Sequence, residues 1–277
     1  MLNKIVMDSA GDLQEFEKIP FSCAPLKILA GEKEYVDDKN CDTAGMVAYL
    51  RTYKGKASTA CPSVGEYLEA FGDAENVYCI TITSGLSGSY NSAIVAAQTY
   101  QEQYPNRNIH VFDSLSAGAE MAMVAEKIRD LILEDLPFES IVEQVNAYMK
   151  KTRLAFSLES LHNLANNGRV PPAVAKIAGI LGIRLLGKAS DVGQLQPTGK
   201  ARGEKKVAPE LLNLMTETGY NGGKLRICHC FNPDCAETLR DLVLSRFPSA
   251  AITIAPTGAL CSFYAEQGGL MVGFEIN

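Results

Sequence analysis

The residues best suited to chemistry lie in one turn, TSGLSGSY, at positions 83–90. Ser84 and Ser87 supply hydroxyl groups, which can hydrogen-bond an anion or, once a base activates them, attack an ester or a phosphate. Gly85 and Gly88 let the backbone turn sharply and let a ligand come close to the main chain. The turn therefore predicts either an anion-binding site or a serine nucleophile.

The residues around this turn predict a strand before it and a helix after it. Positions 77–83 form a short apolar, β-branched run of strand length, and the small residues at 91–97 are typical of the opening of a helix. A strand that enters a helix through such a turn leaves unpaired backbone N–H groups at the positive end of the helix dipole, which favours a phosphate or a carboxylate. In the alternative interpretation, Ser and Gly only form the turn and cap the helix.

A serine nucleophile needs a general base, normally His, and an acid that orients the base. The chain has three His residues, His110, His162 and His229, and none except His110 is expected in a strand-end turn with suitable neighbours. The usual nucleotide and hydrolase patterns, GxGxxG, the P-loop and GxSxG, are missing from the sequence. A serine-dependent hydrolase or a phosphate-handling enzyme that uses TSGLSGS is therefore the alternative function, and the scarcity of His argues against it.

The closest set of possible metal ligands is Cys228, Cys230 and Cys235 with His229. On a strand, Cys228 and Cys230 share one face while His229 points to the other, which is poor geometry for a joint metal site. Eight cysteines without an export signal favour reduced, buried thiols over a disulfide framework. We expect no metal and no cofactor.

Composition is typical of a soluble globular protein. Of 277 residues, 47% are hydrophobic and 21% charged, and no apolar run approaches the roughly 20 residues of a membrane span. The N-terminus lacks the pattern of a signal peptide, so a cytoplasmic location is expected. A formal net charge of −6 without a dense basic block makes nucleic acid an unexpected partner, and no stable membrane insertion is predicted.

Similar strand-to-helix junctions recur in the first half of the chain. The apolar run at 4–7 ends in Asp8 and is followed by GDLQEFEKI, which predicts a helix, and the run at 108–113 ends in Asp113 before a long helical pattern. Repeated junctions of this kind predict an α/β fold with a doubly wound parallel sheet, in which ligands bind outside the carboxyl ends of the strands. For Asp8 and Asp113, helix capping is favoured over ligand contact.

The remaining pattern predicts a further strand at 24–29 and, in the second half, helices that alternate with strands and hairpins. We therefore predict two α/β domains, an N-terminal domain at 1–150 and a C-terminal domain at 151–277, with a ligand cavity between them. In the second half, Gly168 of the NNGR turn can adopt the left-handed conformation that ends a helix. Arg169 follows it and is either a functional cation or one half of a surface ion pair.

A series of segments in order over residues 4–274 resembles one family. MDSAGDL is similar to its DST-x-DL, TACPS to TSQPS, TSGLSGSYNSA to SSGLSGTYQSA and LHNLANNGRV to LxxLxxGGRI, and matching pieces include APLKI, VFDSLSAGAEMA and KARG. The chain thus resembles the DegV family of bacterial fatty-acid-binding proteins. The resemblance implies two α/β domains that hold a single long-chain fatty acid, and a carrier that presents this acid to a separate fatty acid kinase rather than a catalyst.

The resemblance also implies the site. Hydroxyl groups at the carboxylate correspond to Thr59 and to Ser84 or Ser87, and the family's GGRI arginine corresponds to Arg169. The family's C-terminal His is replaced by Tyr264, a neutral donor near neutral pH, so affinity is expected to be nearly flat between about pH 6 and 8. The predicted fatty-acid-binding residues are Thr59, Ser84, Gly85, Ser87, Gly88, Arg169 and Tyr264. Four apolar residues could line the tunnel, although plain core packing is favoured for them: Ile177, Ile180, Leu181 and Leu185.

Overall fold

The computed structural model describes residues 2–171 and 182–276. Four parallel strands form the first sheet, in the order β2-β1-β6-β7. These strands are β1 (Asn3–Asp8), β2 (Phe21–Ala24), β6 (Asn76–Thr81) and β7 (Asn108–Asp113). The chain leaves β1 in one direction to β2 and later returns on its other side to β6, so the point where the strand order reverses lies between β1 and β6.

Helices cover both faces of this sheet. The helices are α2 (Val64–Phe71), α3 (Ser89–Gln103), α4 (Ala119–Leu133) and α5 (Phe138–Met149). In β1, Val6 packs with α2 and α3, whereas Ile5 and Met7 pack with α4 and α5, because successive side chains of a strand point to opposite faces. The predicted doubly wound α/β fold is therefore confirmed.

A six-stranded mixed sheet forms from the second half of the chain, in the order β10-β9-β8-β13-β11-β12. Its strands are β8 (Thr152–Leu158), β9 (Ile183–Ala189), β10 (Leu195–Arg202), β11 (Leu225–His229), β12 (Ile252–Pro256) and β13 (Leu270–Glu275). Helices α7 (Val207–Glu217) and α8 (Pro233–Arg246) pack on one face of this sheet. On the other face, Gly273 of β13 lies so close to the backbone of α4 that a Cβ atom would sit 2.7 Å from the Glu120 nitrogen. Helix α4 thus lies between the two large sheets.

The third sheet is small and antiparallel, with the order β4-β3-β5. Its strands are β3 (Lys27–Ala30), β4 (Lys33–Val36) and β5 (Ser58–Ala60). Helix α1 (Thr43–Thr52) and helix α9 (Ala259–Ala265) pack over it through Ile28, Met46 and Phe263, while α6 (His162–Asn166) lies near α9. A helix from the end of the chain thereby packs on a sheet from its beginning. The division into domains at residue 150 stays a prediction.

Two predicted elements are wrong. The strand predicted at 24–29 is two strands in different sheets, because Pro25 interrupts the run and has no N–H for a ladder. The helix predicted in GDLQEFEKI is absent beyond a single 3-10 turn at Ser9–Gly11, since Asp12 and Lys18 have left-handed φ angles of 54° and 72°. The apolar side chains of this segment instead pack into the core beside α4.

Candidate ligand-binding site

The TSGLSGSY turn lies at the carboxyl end of β6, beside the point where the strand order reverses. Its backbone N–H groups, however, are largely used within the protein. The Ser84 N–H donates to Asp113 Oδ1 at 3.0 Å, the Gly85 N–H to Thr83 Oγ1 at 3.1 Å, and the Leu86 and Ser87 N–H groups to the Thr83 carbonyl oxygen. The expectation of a row of free N–H groups for an anion is therefore wrong for these residues.

The hydroxyl groups and glycines of the turn separate into two groups. Ser87 is half-buried and lines an internal cavity, whereas Ser84, Gly85 and Gly88 are exposed and lie outside that lining. Gly85 has a structural reason to lack a side chain, since a Cβ atom there would lie 3.0 Å from the Val192 carbonyl oxygen. The turn thus contributes Ser87 to the cavity, while the role of Ser84 stays a prediction.

Thr59 and Tyr264 meet in the cavity wall. The Thr59 Oγ1 atom of β5 and the Tyr264 phenol oxygen of α9 form a hydrogen bond of 2.7 Å, although 205 positions separate the two residues. Burial raises the pKa of Tyr264, and this effect exceeds the opposing effects of the Thr59 hydrogen bond and the nearby Arg169 charge. The phenol therefore stays neutral near pH 7 and is able to donate a hydrogen bond.

Arg169 completes this part of the wall. Its Nε donates to the Leu86 carbonyl oxygen at 3.1 Å, and its Nη1 donates to the Asn167 carbonyl oxygen. The side chain is thereby fixed against the TSGLSGSY turn, next to Ser87. Gly168, which precedes Arg169, has the left-handed φ angle of 73° expected where a helix ends. We call Thr59, Ser87, Arg169 and Tyr264 the polar cluster.

Beyond the polar cluster, the cavity is mostly apolar. Together with the open space at its mouth, it has a volume of about 800 Å³. Side chains from the six-stranded sheet, from the loop after β6 and from α9 supply the apolar lining, among them Ile82, Leu154, Phe156, Leu158, Leu260 and Met271. Such a cavity suits a ligand with one polar end and a long apolar body.

Of the four apolar residues considered for the tunnel, only Leu185 lies among the described residues. Leu185 is buried in a cluster with Phe156 and Leu158 and is not part of the cavity lining. Ile177, Ile180 and Leu181 lie outside the described residues. Other lining residues that the sequence analysis missed are polar, namely Thr83, Ser116 and Gln194. Thr83 directly precedes Ser84, so its position in the same turn was an available signal.

The two strand-end carboxylates do not cap helices, contrary to the favoured interpretation. Asp8 Oδ2 accepts hydrogen bonds from the Ile82 N–H at 2.9 Å and the Ser89 hydroxyl at 2.6 Å, and burial raises the pKa of Asp8 to about 6. Asp113 Oδ1 accepts from the N–H groups of Ser84 and Leu115. Both carboxylates therefore hold the loops around the cavity.

The three His residues, Cys228 and Cys230 lie outside the cavity lining. His162 Nε2 lies 2.8 Å from Asn166 Nδ2, His229 Nδ1 accepts from the Asn232 N–H, and the His110 ring packs edge-on against Phe112. Cys228 and Cys230 are buried. Within residues 2–171 and 182–276, no three His, Cys, Asp or Glu side chains are grouped as metal ligands.

Among the helices of those same residues, none combines the length and apolar character needed to cross a bilayer.

Comparison with known proteins gives consistent matches over almost the whole chain. A family model described as "Uncharacterised protein, DegV family" matches residues 3–276. A DegV domain-containing protein of Streptococcus pneumoniae is 41% identical over 278 residues, which is 99% of each protein.

Two solved structures are similar in both sequence and fold. A DegV family protein from Eubacterium eligens loaded with heptadecanoic acid has a TM-score of 0.97 and 42% identity, covering 99% of this chain and 100% of that one. The Streptococcus pneumoniae Fatty Acid Kinase (Fak) B3 protein loaded with linoleic acid has a TM-score of 0.98 and 40% identity, covering 100% of both chains.

Proposed function

This chain belongs to the DegV family, and from that premise we propose that it binds one long-chain fatty acid. The observation that carries the proposal is the cavity itself, which joins an extended apolar lining to the polar cluster. In the proposed complex, the carboxylate lies at the polar cluster and the acyl tail lies in the apolar part. Thr59 and Ser87 come from the first half of the chain and Arg169 and Tyr264 from the second, so the carboxylate would bind at the junction of the two predicted domains.

The acyl tail supplies most of the binding free energy. Each buried methylene contributes about 0.8 kcal/mol, so about fourteen of them contribute on the order of 11 kcal/mol before the entropy lost on association. The polar cluster then fixes the position of the carboxylate. Arg169 is its cation, and the hydroxyl groups of the cluster are neutral donors whose hydrogen bonds to the ionised carboxylate are also charge-assisted.

A carrier role follows from the same arrangement. A serine nucleophile would need a His ring as its base, and within residues 2–171 and 182–276 no His ring is seen hydrogen-bonded to a serine hydroxyl, so the hydrolase alternative has no such support. We propose that the loaded protein presents its fatty acid to a fatty acid kinase, which phosphorylates the carboxylate with ATP. This partnership implies a cytoplasmic location and no cofactor of the carrier's own.

The ligand can be identified directly by mass spectrometry of an organic extract of the native purified protein. We expect close to one long-chain fatty acid per chain. Ala189→Phe, at a half-buried lining residue, should fill part of the cavity and reduce the extracted amount, whereas Ala251→Phe, at an exposed position, should not. Repeated absence of fatty acid, together with no binding by the delipidated protein in a titration, would contradict the proposal.

The kinase step needs its own measurement. Loaded protein, ATP and a fatty acid kinase are incubated together, and acyl phosphate is trapped with hydroxylamine as the hydroxamate. The expected result is hydroxamate only when all three components are present. Hydroxamate that forms without the carrier, or none with it, would contradict the carrier role while leaving fatty acid binding intact.

A further inference from the structure

Two carboxylates from the first half of the chain meet at the start of α9. Asp37 Oδ1 accepts from the Ala259 N–H at 2.7 Å, and Asp37 Oδ2 accepts from the Leu260 N–H at 3.1 Å. Asp12 Oδ1 accepts from the Gly258 N–H at 2.8 Å. Three successive N–H groups, which the first turn of a helix leaves without intrahelical partners, are thus satisfied across the junction between the two halves.

These contacts lie one helical turn from the polar cluster. Leu260 and Tyr264 are four residues apart on α9, about 6 Å along the helix axis at 1.5 Å per residue. Both residues line the cavity, and the Tyr264 phenol reaches Thr59 from this helix. The position of the first turn therefore determines where the phenol lies.

Asp37 accepts two backbone N–H groups at the start of α9, whereas Asp12 accepts one. Both oxygens of Asp37 accept N–H groups, and the Ser9 hydroxyl interacts with the same carboxylate, which is 1% exposed. Asp12 accepts a backbone N–H only through Oδ1, and among the described residues its buried Oδ2 accepts none, with the Cys228 and Cys261 thiols as its polar neighbours. Asp37 is consequently the stronger anchor.

Little space remains where the two carboxylates converge. A Cβ atom on Gly258 would lie 3.1 Å from Asp37 Oδ1 and 3.3 Å from Asp12 Oδ1, which is tighter than an ordinary contact. The φ angle of Gly258 is −68°, so another residue could adopt its backbone conformation. A side chain at position 258 would therefore press on both carboxylates.

We propose that Asp37 is a positioning residue for the fatty acid head group, because it holds the first turn of α9 so that the Tyr264 hydroxyl meets Thr59 in the cavity wall. This inference rests on the proposed function of the cavity. Asp12 supports the same turn through a single hydrogen bond. Neither carboxylate belongs to the cavity lining, so both act through α9.

The unequal use of oxygens predicts unequal effects of substitution by Asn. In Asp37→Asn, an NH₂ group replaces one acceptor and faces a backbone N–H, so fatty acid affinity should fall about tenfold. Asp12→Asn can keep its oxygen toward Gly258 and place the amide where Oδ2 accepts no backbone N–H, so its loss of affinity should be clearly smaller. Equal losses in the two variants would overturn the inference.

A double-mutant cycle separates positioning of the phenol from a general structural role. Fatty acid affinity is measured for the wild type, Asp37→Asn, Tyr264→Phe and the double variant by titration of delipidated protein. If Asp37 acts through the phenol, its substitution should lower affinity by less than about twofold in the Tyr264→Phe background. The same tenfold loss in both backgrounds would overturn the inference.

Failure of this inference is distinguishable from failure of the proposed function. A wild type that binds no fatty acid contradicts the function, whereas a folded Asp37→Asn with wild-type affinity contradicts only the inference. If Asp37→Asn does not fold, Gly258→Ala replaces it, because the added methyl group pushes on the carboxylates and removes neither. Gly258→Ala should weaken binding several-fold in a phenol-dependent manner, and wild-type affinity of that variant would overturn the inference.

Discussion

Replacing Thr59 with Val removes one hydroxyl from the polar cluster and keeps a β-branched side chain of similar shape. Thr59 and Tyr264 share a hydrogen bond of 2.7 Å. Two hydroxyl groups have two protons, and one proton lies between the two oxygens. The pair therefore offers one further donor to a carboxylate.

The size of the effect follows from this count of donors. A hydrogen bond to a charged group contributes about 1.5–3 kcal/mol, and the Tyr264 hydroxyl released by the substitution can recover part of it by turning to the ligand. We expect Thr59→Val to weaken fatty acid binding by about 1–2 kcal/mol, or about 5- to 30-fold. Combined with Tyr264→Phe, the loss should exceed the sum of the two single losses, because no hydroxyl of the pair remains.

The assay is calorimetric titration of delipidated protein with a fatty acid kept below the concentration at which it aggregates. Thr238→Val, the same exchange at an exposed position of α8, is the matched control and should bind like the wild type. If Thr59→Val also binds within about twofold of the wild type, below the effect expected from loss of a hydrogen bond, Thr59 does not contact the carboxylate.

Three further predictions concern pH and packing. Between about pH 6 and 8 the Tyr264 phenol should add no pH dependence to fatty acid affinity, since a phenol ionises near pH 10 and burial raises the pKa of Tyr264. Relative to the wild type, Tyr264→His should bind more tightly on the acid side, and identical titration profiles of the two proteins would contradict this. Burial, with the Asp37 charge as a smaller contribution, raises the pKa of Asp12 to about 7, from a value near 4 in the unfolded chain. Between these two pH values the folded state binds a proton that the unfolded chain has released, so the free energy of unfolding should fall as pH rises from about 4 to 7. Urea unfolding at several pH values should show a weaker decline for Asp12→Asn, and an equal decline would refute the assignment. A methyl group at Gly187 would overlap the Phe156 ring and lie 2.7 Å from the Gln196 carbonyl oxygen, so Gly187→Ala should lower the unfolding free energy by about 1–3 kcal/mol. Gly199→Ala on the same hairpin is the control and should unfold like the wild type, because its methyl group would meet no atom within 4 Å.

The amino-acid sequence by itself determined the elements whose signals are local. The apolar run and small-residue turn before α3 predicted the end of β6, and the corresponding pattern predicted β7 and α4. Gly193, with a φ of 69°, marked the turn between β9 and β10. Strand alternation, turn residues and helix starts depend on neighbours within a few positions, so a single chain contains enough information for them.

Tertiary packing decided the outcome where a local pattern had two solutions. The segment after β1 has helix-like spacing, yet its apolar side chains reach the core without a helix while the Asp12 carboxylate binds Gly258, 246 positions away. Similarly, the turn at 83–90 offers N–H groups to an anion by local geometry. Asp113 accepts the Ser84 N–H because β7 and β6 are neighbours in the sheet, and Thr83 accepts three further N–H groups within the turn itself.

Only the tertiary structure brought the polar cluster together. Family resemblance nominated Thr59, Ser87, Arg169 and Tyr264, but it contained no distances between them and did not indicate the anchor at Asp37. The contact between Thr59 and Tyr264 depends on how α9 packs against the three-stranded sheet. That packing results from burial of apolar surface by segments more than 200 positions apart, for which no local pattern in the sequence supplies a register.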